Sequence, residues 1–333
     1  MNFRYLKHPN GGNFATVPTI NIHQFFQKMN PSDPSTPAHA NLGHPTLMPQ
    51  KPLRFGLRTM LGVALVVATV LPNLHAAKVE TLEVQSAKMG RTIPVTVITP
   101  DTYATSENTR YPVVYTLHGA GGSYTSYTAE GRPLTALSDQ YQLMIVCPDG
   151  GKTSWWLDSP IDPSYQYETF VAKELINHID QTYRTLAQRE KRAIVGGSMG
   201  GHGACYLGIR NKAVFGAVGN IFGGVDLRPF PDNWDIKLRI GSQQDHLENW
   251  DRFSVLNNLD GLKDGELSII SMVGSGDFFL QVNRDFNARL QKLGIQHYYI
   301  ESKGKHEVAY ENQAFGIMFR FFDTFFHSGK GAL

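Results

Sequence analysis

A serine between glycines stands near the middle of the chain, in the sequence Gly196-Gly197-Ser198-Met199-Gly200. The apolar run 193–195 precedes it and a helix-like segment follows, which is the strand–turn–helix setting of a nucleophile elbow. On so tight a turn the serine backbone is strained, and the residues two before and two after it must be nearly free of side chains. Gly196 and Gly200 meet that demand. The sequence therefore predicts that Ser198 is a nucleophile.

A serine hydroxyl needs a base, usually histidine, which is itself oriented by a carboxylate. In α/β-hydrolases the chain order is serine, then acid, then histidine. Downstream of the serine, Asp277 follows the strand-like run 267–273 and His306 follows the strand-like run 297–300. Open α/β sheets place their sites at the carboxyl ends of strands. We therefore expect Asp277 to be the acid and His306 the base.

Other acids and histidines compete for these roles less well. Asp245 follows the strand-like run 236–240, but it stands one strand too early and a charged, polar stretch follows it. The remaining histidine candidates precede the acid in the chain or do not follow a strand: His118, His202, His246 and His297. We expect His118 and His202 to be structural hydrogen-bonding residues.

A glycine-rich loop follows the strand-like run 112–117, in the sequence His118-Gly119-Ala120-Gly121-Gly122. Ester cleavage places negative charge on the former carbonyl oxygen, and backbone N–H groups fixed in advance stabilise it. We predict an oxyanion hole formed by the N–H groups of Ala120 and Met199. A phosphate-binding loop is disfavoured because no Gly-Lys-Ser/Thr ending follows.

Two further features bear on ligands. Trp155 and Trp156 are candidate substrate-binding residues that can grip an acyl or sugar group, and packing beneath a loop is the alternative that stays open. The irregular segment 225–266 can cap the site. We expect Cys147 and Cys205 to be buried free thiols. No Cys/His cluster has the spacing of a zinc site, and no metal or cofactor is expected.

The motifs occur in an order that resembles the esterase D family of α/β-hydrolases, over roughly residues 80–328. That family includes tributyrin-type esterases, S-formylglutathione hydrolases, feruloyl and acetylxylan esterases, and mycolyltransferases. The resemblance rests on the following segments: His118-Gly119-x-Gly121-Gly122, Pro148-Asp149-Gly150-Gly151, Trp155-Trp156-x-Asp158-Ser159, Ile179-Asp180-x-x-Tyr183-Arg184-Thr185, and Gly196-Gly197-Ser198-Met199-Gly200-Gly201-His202-Gly203-Ala204.

The resemblance implies the same site residues: nucleophile Ser198, acid Asp277, base His306, and oxyanion donors Ala120 and Met199. The chain departs from the family at two places. Many members carry an aromatic residue soon after the catalytic histidine, where this chain has Glu307-Val308-Ala309-Tyr310. The Ser-Gly found at a strand end in the family is replaced here by Asn220-Ile221-Phe222-Gly223-Gly224. These departures leave the acyl pocket and the substrate open.

Strand-like and helix-like segments alternate over residues 78–333. The runs 79–84 and 93–98 read as an antiparallel pair of strands, and apolar residues at helical spacing recur at Val171, Leu175 and Ile179. Such alternation predicts a mostly parallel sheet flanked by helices. We therefore expect a single catalytic domain with the α/β-hydrolase fold at 78–333.

The N-terminal residues have the composition of a secretory signal. Basic residues at 51, 54 and 58 precede the apolar run 60–71, and Ala76-Ala77 follow. We expect a signal peptide at 48–77, with a retained anchor as the alternative, although the apolar run is short for a membrane span. Residues 1–47 read as disordered. The hypothesis is that translation starts at Met48 and that 1–47 are not part of the native product.

The net charge says little about function. The chain has 31 Lys and Arg residues and 29 Asp and Glu residues, and residues 1–77 contain six of the basic residues and one of the acidic residues. No nucleic-acid partner is expected. The sequence predicts an exported (periplasmic or extracellular) serine carboxylesterase, without a stable membrane span after signal cleavage. Its substrate would be a small-molecule or polysaccharide ester, such as an acetyl or feruloyl ester on carbohydrate. An acyltransferase with the same triad and a catalytically silent carbohydrate-binding homologue remain as alternatives.

Overall fold

The computed structural model describes residues 76–333, in which eight strands form one sheet. The predicted segment 1–47 and residues 48–75 of the predicted signal peptide 48–77 lie outside the described residues. The strands are β1 (Lys78–Ser86), β2 (Arg91–Thr99), β3 (Val113–Leu117), β4 (Met144–Pro148), β5 (Arg192–Gly197), β6 (Ala217–Ile221), β7 (Ser268–Gly274) and β8 (His297–Ser302). Their spatial order is β1-β2-β4-β3-β5-β6-β7-β8.

Strand direction in the sheet follows the sequence expectation. β1 pairs with β2, and β2 with β4, in antiparallel fashion, whereas every other neighbouring pair is parallel. The mostly parallel sheet and the antiparallel first strands are therefore confirmed. All loops that follow the parallel strands emerge at one edge of the sheet, where sites form in open α/β sheets.

The helices connect the strands. They are α1 (Leu134–Tyr141), α2 (Tyr167–Thr169), which continues through a π-helical stretch (Phe170–Leu175) into α3 (Ile176–Thr182), then α4 (Met199–Arg210), α5 (Ile236–Ile240), α6 (Leu247–Phe253), α7 (Val255–Asn258), α8 (Leu280–Lys292) and α9 (Val308–Ser328). Short 3₁₀ turns lie at Asp101–Ala104, Arg189–Lys191 and Leu259–Gly261. No helix within residues 76–333 has the length and apolar content needed to cross a membrane.

Helices cover both faces of the sheet. Gly208 of α4 lies against Val218, whereas the next residue of β6, Gly219, lies against Phe322 of α9. Because successive residues of a strand point to opposite faces, α4 and α9 pack on opposite sides. Helix α9 buries a row of phenylalanines and ends at Gly329, whose positive φ of 75° and N–H bond to the Phe325 carbonyl are typical of a glycine helix terminus.

The run 236–240, interpreted above as strand-like, is the helix α5. Strand alternation would have turned Leu238 inward with Ile236 and Ile240. Instead Ile236 and Ile240 are buried, four residues apart on one helical face, and Leu238 is exposed. A five-residue run carries too little periodicity to separate the two alternatives, and burial of Ile236 and Ile240 together decided for the helix.

The Asp180 to Thr185 segment, noted for its motif, is structural. The Asp180 carboxylate accepts hydrogen bonds from Thr185 Oγ1 and from Arg192 Nη2, each at 2.7 Å. Arg192 begins β5, and its ion pair with Asp180 is largely buried. The segment therefore anchors the start of the strand that leads to Ser198.

Both cysteines are buried and free, as expected. Burial raises the pKa of Cys147 to about 12 and also raises the pKa of Cys205. Because the thiolate is the reactive form, neither thiol is available for nucleophilic chemistry near neutral pH.

Candidate active site

Ser198 occupies a strained turn between β5 and α4. Its backbone has φ 59° and ψ −121°, a region that residues with side chains rarely adopt. A Cβ on Gly200 would lie 1.8 Å from the Leu117 carbonyl oxygen, and one on Gly196 would lie 2.5 Å from the same oxygen. The two glycines therefore let the turn pass against the end of β3, as the sequence predicted.

Asp277 and His306 meet after β7 and β8. His306 Nδ1 lies 2.9 Å from Asp277 Oδ2, and the carboxylate is fully buried whereas the imidazole is 22% exposed. The other carboxylate oxygen, Oδ1, accepts the Phe279 N–H at 2.8 Å. The Gly276 N–H donates to the Gly304 carbonyl at 2.8 Å and joins the two loops. This geometry holds the imidazole by one nitrogen and leaves Nε2 for proton transfer.

Strand β6, which lies between β5 and β7 in the sheet, links Ser198 to His306. The Ser198 N–H donates to the carbonyl of Ile221 at the end of β6. The next residue, Phe222, packs its ring on His306 with 4.3 Å between ring centroids. Among the hydrogen bonds of residues 76–333, none joins Ser198 Oγ to His306. Catalytic hydrogen bonds of this kind often tighten only in the substrate complex.

The predicted oxyanion donors lie on either side of the serine. Gly119 follows β3 and lies against Ser198 Cβ, and Ala120 beside it is exposed. Within the described residues the Ala120 N–H has no backbone acceptor, whereas Gly121 and Gly122 donate to the carbonyls of Lys152 and Gly119. Met199 opens α4, where N–H groups lack partners in the helix and the helix dipole favours negative charge.

His118 fixes the oxyanion loop. Its Nδ1 contacts the Gly119 carbonyl at 2.8 Å and its Nε2 accepts the Gly150 N–H at 2.8 Å, so the proton belongs on Nδ1. Burial lowers the pKa of His118 and keeps the ring neutral. These contacts agree with the expected structural role, because the ring joins the loop after β3 to the loop after β4.

Trp155 and Trp156 pack beneath the site and do not line it. Their exposed fractions are 1% and 0%. The Trp156 indole N–H donates to the His118 carbonyl at 3.2 Å, and that of Trp155 donates to the Trp234 carbonyl at 3.1 Å. The assignment of both residues as substrate-binding is corrected here in favour of the packing alternative, because neither ring has a face left for a ligand.

His202 is buried on α4 between two carbonyl oxygens. Nδ1 lies 3.0 Å from the Trp155 carbonyl and Nε2 lies 2.9 Å from the Phe253 carbonyl. Complete burial lowers the pKa of His202 to about 4, although both carbonyls favour the charged ring. The expectation of a structural histidine agrees with these contacts.

The rival acid Asp245 is exposed, and its carboxylate accepts the Ser242 hydroxyl at 2.6 Å.

A buried ion pair that the sequence analysis missed supports the nucleophile turn. Arg132 Nη2 lies 2.5 Å from Glu311 Oε2, with the two side chains 6% and 11% exposed. The Tyr127 hydroxyl donates to Glu311 Oε1, and a Cβ on Gly197 would lie 1.9 Å from that same oxygen. The pair joins the loop after β3, the elbow and α9. No local pattern marks it, because its members are 179 residues apart.

Among residues 76–333, no cluster of three or more His, Cys, Asp or Glu side chains could hold a metal ion.

A serine elbow after β5, with an acid after β7 and a histidine after β8 on a mostly parallel sheet, defines the α/β-hydrolase fold. The chain belongs to the esterase family whose model is described as "Putative esterase", which matches residues 86–322. The resemblance drawn from the sequence motifs is thereby confirmed.

Two curated relatives are each 28% identical to this chain over the aligned residues. Esterase Rv1288 of Mycobacterium tuberculosis (strain H37Rv) is 28% identical over 248 residues, which cover 67% of this chain and 54% of that protein. An acetyl esterase of Caldicellulosiruptor saccharolyticus is 28% identical over 220 residues, or 62% of this chain and 81% of that protein. The chain thus spans about half the length of the mycobacterial relative.

Solved structures show the same fold. A ferulic acid esterase matches with a TM-score of 0.67 at 24% identity, covering 76% of this chain and 99% of that one. MPT51 of Mycobacterium tuberculosis matches with a TM-score of 0.58 at 19% identity, covering 74% and 98%. At these identities the likeness shows the architecture and not the substrate.

Replacing Glu311 by glutamine should lower the free energy of unfolding by about 3–5 kcal/mol, because it leaves the Arg132 charge buried without a counter-ion. Urea unfolding followed by circular dichroism measures this. The matched control is Glu190→Gln, which breaks the exposed Arg189–Glu190 pair and should cost less than about 1 kcal/mol. Equal losses in both variants would contradict the structural role of the buried pair.

His202 should make stability fall in mild acid. Its folded pKa of about 4 lies below the ordinary 6.5, so the unfolded chain binds more protons between these values and stability rises with pH across that window. From pH 7 to pH 5 the contribution lost is about 2 kcal/mol. Unfolding of wild type and His202→Gln at both pH values measures the difference. The exposed-site control, His327→Gln, should keep the pH dependence of wild type. If the stability of His202→Gln depends on pH as strongly as that of wild type and of the control, the role of His202 is refuted.

Proposed function

We propose that the chain is an exported serine carboxylesterase that hydrolyses an acyl ester through Ser198, His306 and Asp277. The observation that carries the proposal is the hydrogen bond between the buried Asp277 carboxylate and His306, at the same sheet edge as the strained Ser198 turn. A buried carboxylate held to one ring nitrogen fixes the tautomer that a general base needs.

In the first step His306 Nε2 takes the Ser198 proton as Oγ attacks the ester carbonyl carbon. Asp277 stabilises the imidazolium that forms. The N–H groups of Ala120 and Met199 bind the oxyanion of the tetrahedral intermediate, and they do so without reorganisation because neighbouring backbone bonds already hold the loop and helix.

Collapse of that intermediate breaks the bond to the alcohol oxygen, which leaves with the proton from His306. Water then enters, gives its proton to His306 and attacks the acyl-enzyme carbonyl. A second oxyanion intermediate releases the acid and returns the proton to Ser198. The cycle needs no metal or cofactor.

For the substrate we propose an acetyl or feruloyl ester on carbohydrate. Support comes from relatives and neighbours whose names are acetyl esterase and ferulic acid esterase. The basic, apolar and small-residue order at 51–77 supports export to the periplasm or the exterior, where polysaccharide esters occur. Acyl transfer to an acceptor alcohol in place of water would use the same groups.

Ser198→Ala should lower kcat on a short-chain ester by about 10⁶-fold, because it removes the nucleophile. Asp277→Asn should lower kcat by about 10⁴-fold, because the wrong imidazole tautomer is then held. Initial rates on nitrophenyl acetate, acetylated xylose and methyl ferulate measure both. The control is Ser275→Ala, an exposed serine near the acid, which should retain wild-type rates.

Full activity of Ser198→Ala would refute the nucleophile. A fluorophosphonate should label wild type and not Ser198→Ala, and an absence of labelling in wild type would favour the catalytically silent carbohydrate-binding alternative. Product analysis with an added acceptor alcohol separates hydrolysis from transfer, since an ester of the acceptor as the main product would identify an acyltransferase.

Export is tested by expressing the gene in its natural host or a related one and determining the N-terminus of the folded product by mass spectrometry. The expected mature protein starts close to residue 78 and is found outside the cytoplasm. A cytoplasmic product that retains residues 60–71 would contradict export, and a peptide from 1–47 in the precursor would contradict the start at Met48.

A further inference from the structure

An exposed aromatic ring lies directly beside the proposed general base. Phe278 follows the acid Asp277 and is 53% exposed, one of few large apolar side chains exposed in the described part of the chain. Its ring centroid lies 4.2 Å from that of His306, with 30° between the planes. Two other rings contact the imidazole, those of Phe222 and Phe279, and both are buried. Phe278 is therefore the ring beside the imidazole that stays exposed to solvent.

Trp234, from the segment 225–266, continues this surface. It stacks on Phe278 with centroids 5.6 Å apart and planes 22° apart, while Phe230 and Phe279 support it from behind. Its φ of 46° is unusual for so large a residue, and the bond from Trp155 Nε1 to its carbonyl helps to hold it there.

The indole N–H of Trp234 is an unused donor. Within residues 76–333 it has no hydrogen-bond acceptor, and the side chain is only half-buried. Trp155 and Trp156, by contrast, each donate to a backbone carbonyl. The surface made by Phe278 and Trp234 therefore offers exposed aromatic surface and one N–H group close to His306.

The chemistry of the reaction decides which part of a substrate lies there. His306 must hand its proton to the alcohol oxygen as that oxygen leaves, so the atoms attached to this oxygen lie nearest His306. The carbonyl oxygen of the acyl group instead lies at the oxyanion donors, the N–H groups of Ala120 and Met199. The exposed Phe278 ring next to the imidazole, and the Trp234 ring stacked on it, thus lie on the side of the alcohol part of the ester.

We propose that Phe278 and Trp234 form a binding subsite for a pyranose ring in the alcohol part of the ester, a proposal that rests on the proposed esterase function. A sugar ring presents flat C–H faces that pack on aromatic rings, together with hydroxyl groups that accept from the indole N–H. An exposed platform suits a sugar of a long, hydrated chain, which needs to lie across the site without being enclosed.

The test compares three esters that differ in one part each: an acetylated methyl xyloside, triacetin, and methyl ferulate. Phe278→Ala should lower kcat/KM about fivefold to tenfold on the acetylated xyloside relative to the other two, mainly through KM, because only that ester places a ring on the platform. Phe278→Tyr should restore the selectivity. Trp234→Phe, which keeps a ring and removes the N–H, should show a smaller loss in the same direction.

Binding gives a readout that does not depend on turnover. Ser198→Ala should bind xylobiose, with a change in tryptophan fluorescence, and adding Phe278→Ala should weaken that binding at least fivefold. The control is Val79→Ala, which removes an exposed apolar side chain on the edge strand β1 and should change neither binding nor selectivity.

Three results would overturn the subsite: an equal fall on all three esters, which would mean that Phe278 only packs His306; a fall confined to methyl ferulate, which would place the rings on the acyl side; or no xylobiose binding by Ser198→Ala. If wild type cleaves none of the esters while xylobiose binds through Phe278, the esterase proposal fails and the sugar subsite stands.

Discussion

The contact between the Ser198 turn and the end of β3 constrains the whole site. The turn holds a left-handed serine backbone and passes so close to the Leu117 carbonyl that Gly196 and Gly200 cannot carry a Cβ. Such strain persists only where the surroundings impose it. Here a parallel sheet buried by α4 and α9 on opposite faces supplies the rigidity, so the nucleophile, the oxyanion loop and the start of α4 keep a fixed relation to one another.

Around that turn, His118, His202 and the Arg132–Glu311 pair hold other parts of the site in place and are not proposed to contact the substrate. His118 holds the oxyanion loop to the loop after β4, and His202 joins α4 to the loop at Trp155 and to the end of α6 at Phe253. The Arg132–Glu311 pair packs against Gly197. Each is buried with specific partners, and the neutral state of His118 and His202 follows from that burial. The aromatic rings divide similarly. Phe222 and Trp156 pack from below, whereas Phe278 and Trp234 face outward beside His306.

The predictions from sequence succeeded where the signal is local. The glycine spacing at 196–200 and the strand before it are short patterns that the sterics of a tight turn impose, and the parallel sheet followed from the alternation of elements. They failed where burial decides. The run 236–240 was too short to distinguish strand from helix, and whether Trp155 lined or supported the site depended on loops far away in the chain.

The sequence by itself determined the chemistry available: a serine on a glycine turn, a carboxylate and an imidazole at later strand ends, and a glycine loop for an oxyanion. These features depend on residue type and on neighbours in the chain, and the sequence contains both. Only the tertiary structure decided which aromatic rings stay open, which histidines are sealed, and that Arg132 and Glu311, 179 residues apart, form a pair. Burial and long-range contact depend on how distant segments pack together, and no local pattern carries that information.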